Sequence, residues 1–150
     1  MKLAEALMER ADLQRKLAQL QGRLTQNAQY QEGETPAEDP HELLTEYRRI
    51  ADQLETLIVK INQINQKVTL ANGVNMIEAL AKRDRLKDEQ TMLLALANAA
   101  VVEQTRYSHS EIKLIAAVDI KSIRKQADDA AKNYRELDVL VQQANWQYDL

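Results

Sequence analysis

Apolar residues recur along most of the chain at alternating spacings of four and three positions. After residue 40 this spacing continues through eight positions without interruption: Leu43, Tyr47, Ile50, Leu54, Leu57, Ile61, Ile64 and Val68. A repeat of 3.5 residues forms a stripe along an α-helix, and the stripe faces a partner throughout only if the helices supercoil. The pattern therefore predicts a long helix with coiled-coil packing.

Three further stretches have helical patterns. The first predicted helix runs from about residue 3 to about residue 30, and Arg10 is the one charged residue in its apolar stripe. The third helix, predicted over 76–103, has a less regular repeat, and small residues in its second half allow burial on more than one side. The fourth is predicted to begin near Asp119, a plausible N-cap, and repeats regularly to Ala144.

Residues 32–40 contain both prolines and four acidic residues, which indicates a solvated connection between the first two helices. Asp39 before Pro40 is a favourable helix start, because Asp caps well and Pro is tolerated at the first helical position. Asn72-Gly73 is a strong turn signal before the third helix. We therefore predict a single all-α domain over 1–150, with four long helices packed as coiled-coil hairpins or as a four-helix bundle.

The stretch between the third and fourth helices does not follow the heptad pattern. Apolar residues alternate there at Ile112, Leu114, Ala116 and Val118, which predicts a short strand or extended segment near 112–118. An irregular loop or a continuation of helix remains equally open. A lone strand needs a partner for its backbone groups, for example the same segment of another subunit. These four residues are accordingly the predicted oligomer interface.

The composition supports helix and narrows the chemistry. The chain has three Gly, two Pro and no Phe, which argues against a sheet protein. It has no Cys, which excludes disulfides and thiolate chemistry. No apolar run approaches the roughly 20 residues that span a bilayer, and we expect a cytoplasmic location with no transmembrane segment.

No catalytic signature is present. The sequence contains no Gly-rich phosphate loop and no nucleophile elbow. The two histidines, His41 and His109, have no metal-ligand spacing around them. We therefore expect no enzyme activity, no metal and no cofactor.

Basic residues concentrate in two places. Lys82, Arg83, Arg85 and Lys87 lie close together on the third helix. The segment 106–135 has seven basic and four acidic residues, so its net charge is +3 in a chain whose net charge is −3. Such a segment could bind nucleic acid, but a solvated helix face with ion pairs explains it as well. No nucleic-acid partner is expected.

Four short strings resemble a family of small bacterial helical proteins that are often called septicolysin-like. The strings are Ala79–Leu86, Arg106–Lys113, Tyr134–Asp138 and Ala144–Trp146. The family has no established activity that can be transferred to individual residues. The resemblance marks one segment as a possible ligand or partner surface: Arg106, Tyr107, His109, Glu111 and Lys113. The family name also implies a membrane-active, pore-forming protein.

These observations lead to one main hypothesis and two alternatives. The chain is predicted to be a non-enzymatic coiled-coil protein that binds other copies of itself. The first alternative is the membrane-active protein that the resemblance implies, and the second is nucleic-acid binding through 106–135. The biological process, any small-molecule ligand and the number of subunits are not contained in the sequence.

Overall fold

The computed structural model describes residues 1–103 and 112–150. It contains four long helices, which confirms the prediction of an all-α fold: α1 (Leu3–Gln26), α2 (Pro40–Asn65), α3 (Met76–Ala99) and α4 (Ile120–Gln147). Within the described residues, β-structure is limited to two isolated antiparallel bridges, Lys2 with Asp149 and Thr69 with Asn75.

The chain divides into two compact units. The first comprises Met1–Val68 together with Gln143–Leu150, and the second comprises Thr69–Gln142. Helix α4 therefore contributes residues 120–142 to the second unit and its last residues to the first. The expectation of a single domain stays a prediction, because such a division does not measure whether either part folds alone.

The first unit is built on an antiparallel hairpin of α1 and α2. Arg23, near the end of α1, forms an ion pair with Glu38 just before α2, and Lys16 lies near Glu46 one to two turns further on. The predicted stripes face inward: Leu3, Ala6, Leu13 and Leu20 are buried on α1, and Leu43, Ile50, Leu57 and Ile61 on α2. Burial of these apolar side chains is the main stabilising contribution to the hairpin.

Arg10 is the charged residue that interrupts the apolar stripe of α1. It is half-buried, and its Nε atom is buried without a hydrogen-bond partner among the described residues. A buried polar atom that lacks a partner destabilises the folded state. Arg10 is thus an energetic defect in an otherwise apolar stripe.

The connection between α1 and α2 is fixed by side-chain caps. Asp39 is the N-cap of α2, as predicted, and its Oδ1 accepts a hydrogen bond from the His41 N–H at 2.9 Å. Helix α1 ends at Gln26, four residues before the predicted end. At this end the Asn27 side chain donates to the Arg23 carbonyl at 2.8 Å, and the same carbonyl also accepts a hydrogen bond from the Asn27 backbone N–H at 3.1 Å.

The last residues of the chain pair with the first within the first unit. The Leu3 N–H donates to the Tyr148 carbonyl at 2.9 Å, and the Leu150 N–H donates to the Met1 carbonyl at 2.9 Å. Lys2 Nζ lies 2.9 Å from Asp149 Oδ2. These contacts fix the start of α1 next to the end of α4.

The second unit consists of the turn before α3, α3 itself and residues 120–142 of α4. The predicted Asn72-Gly73 turn is present: Gly73 has a φ of 84°, and the Leu70 N–H donates to the Val74 carbonyl at 2.8 Å. A positive φ favours Gly because it has no Cβ. The buried residues are Leu70, Met76, Ala79, Leu86, Ala97, Ala127, Ala130, Leu137 and Val141.

The boundaries around the non-heptad stretch differ in how well they were predicted. Helix α4 begins at Ile120, and the Asp119 side chain accepts a hydrogen bond from the Ser122 N–H at 3.2 Å, which confirms Asp119 as the cap. Helix α3 ends at Ala99 instead of 103. The next residues, Val101 and Val102, are β-branched and have a lower helix propensity than the Ala and Leu before them.

Candidate interaction surface

The second half of α3 is apolar on two sides. Positions 91–102 read Thr-Met-Leu-Leu-Ala-Leu-Ala-Asn-Ala-Ala-Val-Val and contain no charged residue. One side contributes to the core of the second unit through Leu86, Leu93 and Ala97, of which the first and last are buried. The other side is not needed for this core, so it remains on the surface.

We call that exposed side the outer stripe: Met92, Ala95, Leu96 and Ala99. These residues are spaced i, i+3, i+4 and i+7, which puts them on one face of the helix. Met92 is 67% exposed and Leu96 is 40% exposed. A contiguous exposed apolar face without charge is typical of a surface that binds a partner.

Residues 112–118 form neither helix nor strand. Ile112 is 83% exposed and Leu114 is 79% exposed, whereas Ala116 and Val118 are half-buried. The segment therefore forms no strand within this chain, and its pairing with the same segment of another subunit stays a prediction. Ile115, which is not part of the alternating series, is 86% exposed. The apolar surface of this segment is formed by 112, 114 and 115.

Most of the segment 106–113, which the family resemblance marked as a possible ligand or partner surface, lies outside the described residues. Arg106, Tyr107, His109 and Glu111 fall outside the described residues. Lys113 is described and exposed, next to Ile112 and Leu114. The proposed role of this segment in binding a ligand or partner stays a prediction.

The basic residues of α3 are partly neutralised by ion pairs. Arg83 Nη1 lies 2.8 Å from Asp138 Oδ1 on α4, and both side chains are largely shielded from solvent. Arg85 Nη1 lies 2.8 Å from Glu89 Oε2 on the same helix. Lys82 and Lys87 have no ion pair within 4.0 Å among residues 1–103 and 112–150. Two of the four basic residues of the α3 cluster are therefore paired, Arg83 with a residue of α4 and Arg85 with a residue of α3 itself.

The shifted carboxyl groups belong to the first unit. A hydrogen bond from Arg23 lowers the pKa of Glu38, and a hydrogen bond from Arg49 lowers the pKa of Glu46. A hydrogen bond from Lys2 lowers the pKa of Asp149. Each shift has a structural ion pair as its cause, so none of these groups resembles a catalytic acid or base.

The described residues form neither a cluster of metal ligands nor a membrane-spanning helix. In the described part of the chain, no three His, Asp or Glu side chains are grouped closely enough to hold a metal ion. None of the described helices combines the length and the apolar character that crossing a bilayer requires.

Comparison with known proteins places the chain in a family. A family of unknown function, DUF6847, matches residues 10–150. The chain belongs to the DUF6847 family. A solved structure, described as a functionally unknown conserved protein from Corynebacterium diphtheriae, is 43% identical, with a TM-score of 0.91. The match covers 100% of this chain and 98% of that one. No protein with a curated function matches. DUF6847 membership does not test the resemblance to septicolysin-like proteins, which stays a prediction.

Sequence reasoning missed two parts of the apolar surface. It noted that the Ala/Leu-rich half of α3 allows burial on two sides, but it did not identify Met92 and Leu96 as exposed. The available signal was the second i, i+3, i+4, i+7 series. Ile115 was missed because it is not part of the alternating series 112, 114, 116 and 118.

Proposed function

We propose that this protein is a non-enzymatic helical module that self-associates through the outer stripe of α3. The observation that carries the proposal is the outer stripe itself: an exposed apolar helix face in a stretch of twelve residues without charge. The heptad stripes within each unit pack internally, so they are not available for assembly. The outer stripe is an additional apolar face on a helix whose core-facing side is already buried.

The chemistry of the outer stripe favours a second copy of this chain as its partner. In a symmetric dimer the same patch lies on both sides of the interface, so a charge close to the two-fold axis meets its own copy. Because residues 91–102 carry none, two outer stripes can meet without repulsion even though the chain is net negative. Ala95 and Ala99, one turn apart, allow two helix backbones to approach closely.

The segment 112–115 extends the proposed interface. Ile112 and Leu114 were predicted to form it, and Ile115 adds a third exposed aliphatic side chain. A stable protein–protein interface contains about 20–30 residues on each side. The outer stripe and residues 112, 114 and 115 supply seven residues, which form the apolar centre of the proposed interface.

The test is the mass of the protein in solution, measured by light scattering after size-exclusion chromatography. We expect wild type to have a defined multiple of 17.2 kDa. Leu96→Asp introduces a charge into the outer stripe and should shift the mass to that of one chain. Val59→Asp is the matched control, because Val59 is an exposed aliphatic residue on α2 outside the proposed interface. Circular dichroism establishes that both variants remain helical.

Leu114→Asp tests the extension separately and should lower the mass if 112–115 contributes. A wild-type mass of 17.2 kDa at concentrations up to about 100 μM would overturn the proposal, and so would an unchanged mass for Leu96→Asp. Release of dye from liposomes by a monomeric wild type would favour the membrane-active alternative instead. Retardation of DNA or RNA at low salt, lost at high salt, would favour the nucleic-acid alternative.

A further inference from the structure

A cleft between α3 and α4 in the second unit has features that self-association does not use. Its volume is about 450 Å³, within the range of small-molecule sites. All the residues that line it belong to 69–142. Three leucines, Leu86, Leu137 and Leu140, form an apolar floor, and Leu86 and Leu137 are buried.

The polar side chains of this cleft have opposite charges on its two walls. Lys82 and Arg85 lie on α3, three positions apart, so their side chains are neighbours on one helix face. Glu136 and Asn133 lie on α4, again three positions apart. The site thus has two cations facing a carboxylate and an amide across an apolar floor.

These charges leave binding capacity for a ligand. Lys82 and Glu136 line the same cleft but are not within 4.0 Å of each other, and the described part of the chain offers Lys82 no other ion pair that close. Glu136 approaches Lys132 only at 4.0 Å. Arg85 uses Nη1 for Glu89, and its guanidinium has four further N–H donors.

We propose that this cleft binds a small zwitterion with a branched apolar group, of the class of aliphatic α-amino acids. The ligand carboxylate lies between Lys82 and Arg85. The ligand ammonium group donates hydrogen bonds to the Glu136 carboxylate and to the amide oxygen of Asn133. The ligand side chain covers the leucine floor. This proposal does not depend on self-association.

Charge complementarity selects the zwitterion over simpler ligands. A carboxylic acid without the ammonium group gains the two cations but also meets the Glu136 carboxylate. An amine without the carboxylate gains Glu136 but meets two cations. Only a ligand with both charges satisfies both walls. Because the cleft is open and its charged groups are exposed, the affinity should be modest, with a Kd of about 1 mM.

The test is a titration of the full-length protein, followed by two-dimensional NMR of the backbone amides. The three probes are L-leucine, 4-methylpentanoate, which lacks the ammonium group, and 3-methylbutan-1-amine, which lacks the carboxylate. We expect saturable shifts at cleft residues with L-leucine and at least ten-fold weaker binding of the other two. Absence of saturable shifts with L-leucine, or equal binding of all three, would overturn the proposal.

Two variants give opposite changes that nonspecific apolar binding would not produce. Glu136→Gln should weaken L-leucine and strengthen 4-methylpentanoate, because the repelling carboxylate is removed. Lys82→Met should weaken L-leucine and strengthen the amine. Glu78→Gln and Lys87→Met are the matched controls on α3 outside the cleft, and they should leave all three affinities unchanged. If Glu136→Gln weakened L-leucine and 4-methylpentanoate equally, the proposed position of the ligand would be wrong.

Discussion

The Asn27 side chain accepts a hydrogen bond from the Glu38 backbone N–H at 3.0 Å, across a separation of eleven residues. The same side chain donates to the Arg23 carbonyl at 2.8 Å. Asn27 is 8% exposed, so water cannot readily take the place of its side chain in these two hydrogen bonds. One amide therefore ends α1 and fixes the start of the chain segment that leads into α2.

Replacing this amide should destabilise the first hairpin. Asn27→Ala leaves the Glu38 N–H without its partner, whereas the Arg23 carbonyl keeps the backbone N–H of residue 27, and a buried unsatisfied group costs about 1–3 kcal/mol. Urea unfolding followed by circular dichroism measures the loss. Gln29→Ala, two residues further on at an exposed position, should change the stability by less than about 0.5 kcal/mol. Equal losses in the two variants would contradict the role given to Asn27.

The ion pairs of the first unit predict lower stability in acid. The pKa of Glu38 is lowered from 4.5 by the Arg23 hydrogen bond, and that of Asp149 is lowered from 3.8 by the Lys2 hydrogen bond. A carboxyl group whose pKa is lower in the folded state than in the unfolded state stabilises the folded state at every pH above its unfolded pKa. This contribution is lost as the pH falls through the folded pKa. The melting temperature should therefore fall as the pH falls from about 5 to about 2.

The variant Glu38→Gln distinguishes the contribution of the Arg23–Glu38 ion pair from the general destabilisation of the protein by acid. Glu38→Gln should lower the melting temperature at pH 7 and also reduce the further loss between pH 5 and pH 2, because one titrating contribution is gone. Glu34→Gln, in the same exposed connection, should reproduce the wild-type pH profile. A profile for Glu38→Gln that runs parallel to wild type would show that the Arg23 pair does not contribute.

Replacing Arg10 should stabilise the protein, in contrast to the replacements of Asn27 and Glu38. Its buried Nε has no hydrogen-bond partner among the described residues, and it interrupts an apolar stripe. Arg10→Met keeps an unbranched side chain of similar length and removes the polar group, so the free energy of unfolding should rise by about 1 kcal/mol. Arg15→Met removes an exposed arginine from the same helix and should not stabilise. A loss of stability in Arg10→Met would mean that its guanidinium is satisfied by solvent.

The helices and their caps could be predicted because their signals are local. Asp39 and Asp119 cap helices through groups two and three residues away, so the sequence around each contains the whole interaction. The end of α1 was predicted four residues late, because it depends on Asn27 contacting Glu38 across a loop. The periodicity gives no information about such a contact.

The candidate surface was harder to predict because burial depends on which face meets a neighbour. Both faces of the second half of α3 are apolar, and only packing in the second unit decides that Ala97 is buried while Met92 is exposed. The cleft was missed for a similar reason. Lys82 and Glu136 are 54 positions apart, and the helical periodicity gives no information that they line the same cleft.

The pair of Arg83 and Asp138 should be worth more than the other helix-surface pairs, although its distance is the same as that of Arg85 and Glu89. Both distances are 2.8 Å, but the Arg83 and Asp138 side chains are 23% and 32% exposed, against 62% and 46% for the other pair. Lower exposure reduces screening by water and salt, which strengthens the attraction between the charges. The Arg83 pair also joins two helices, whereas the Arg85 pair lies within one.

Double-mutant cycles measure this difference directly. Arg83→Met, Asp138→Asn and their combination should give a coupling energy of about 1 kcal/mol, whereas Arg85→Met with Glu89→Gln should give about 0.3–0.5 kcal/mol. Repeating both cycles in 1 M NaCl should remove most of the second coupling and leave most of the first, because the exposed pair is screened. Equal couplings at low salt would show that the lower exposure and the cross-helix geometry of the Arg83 pair add nothing beyond the attraction within an exposed pair on one helix.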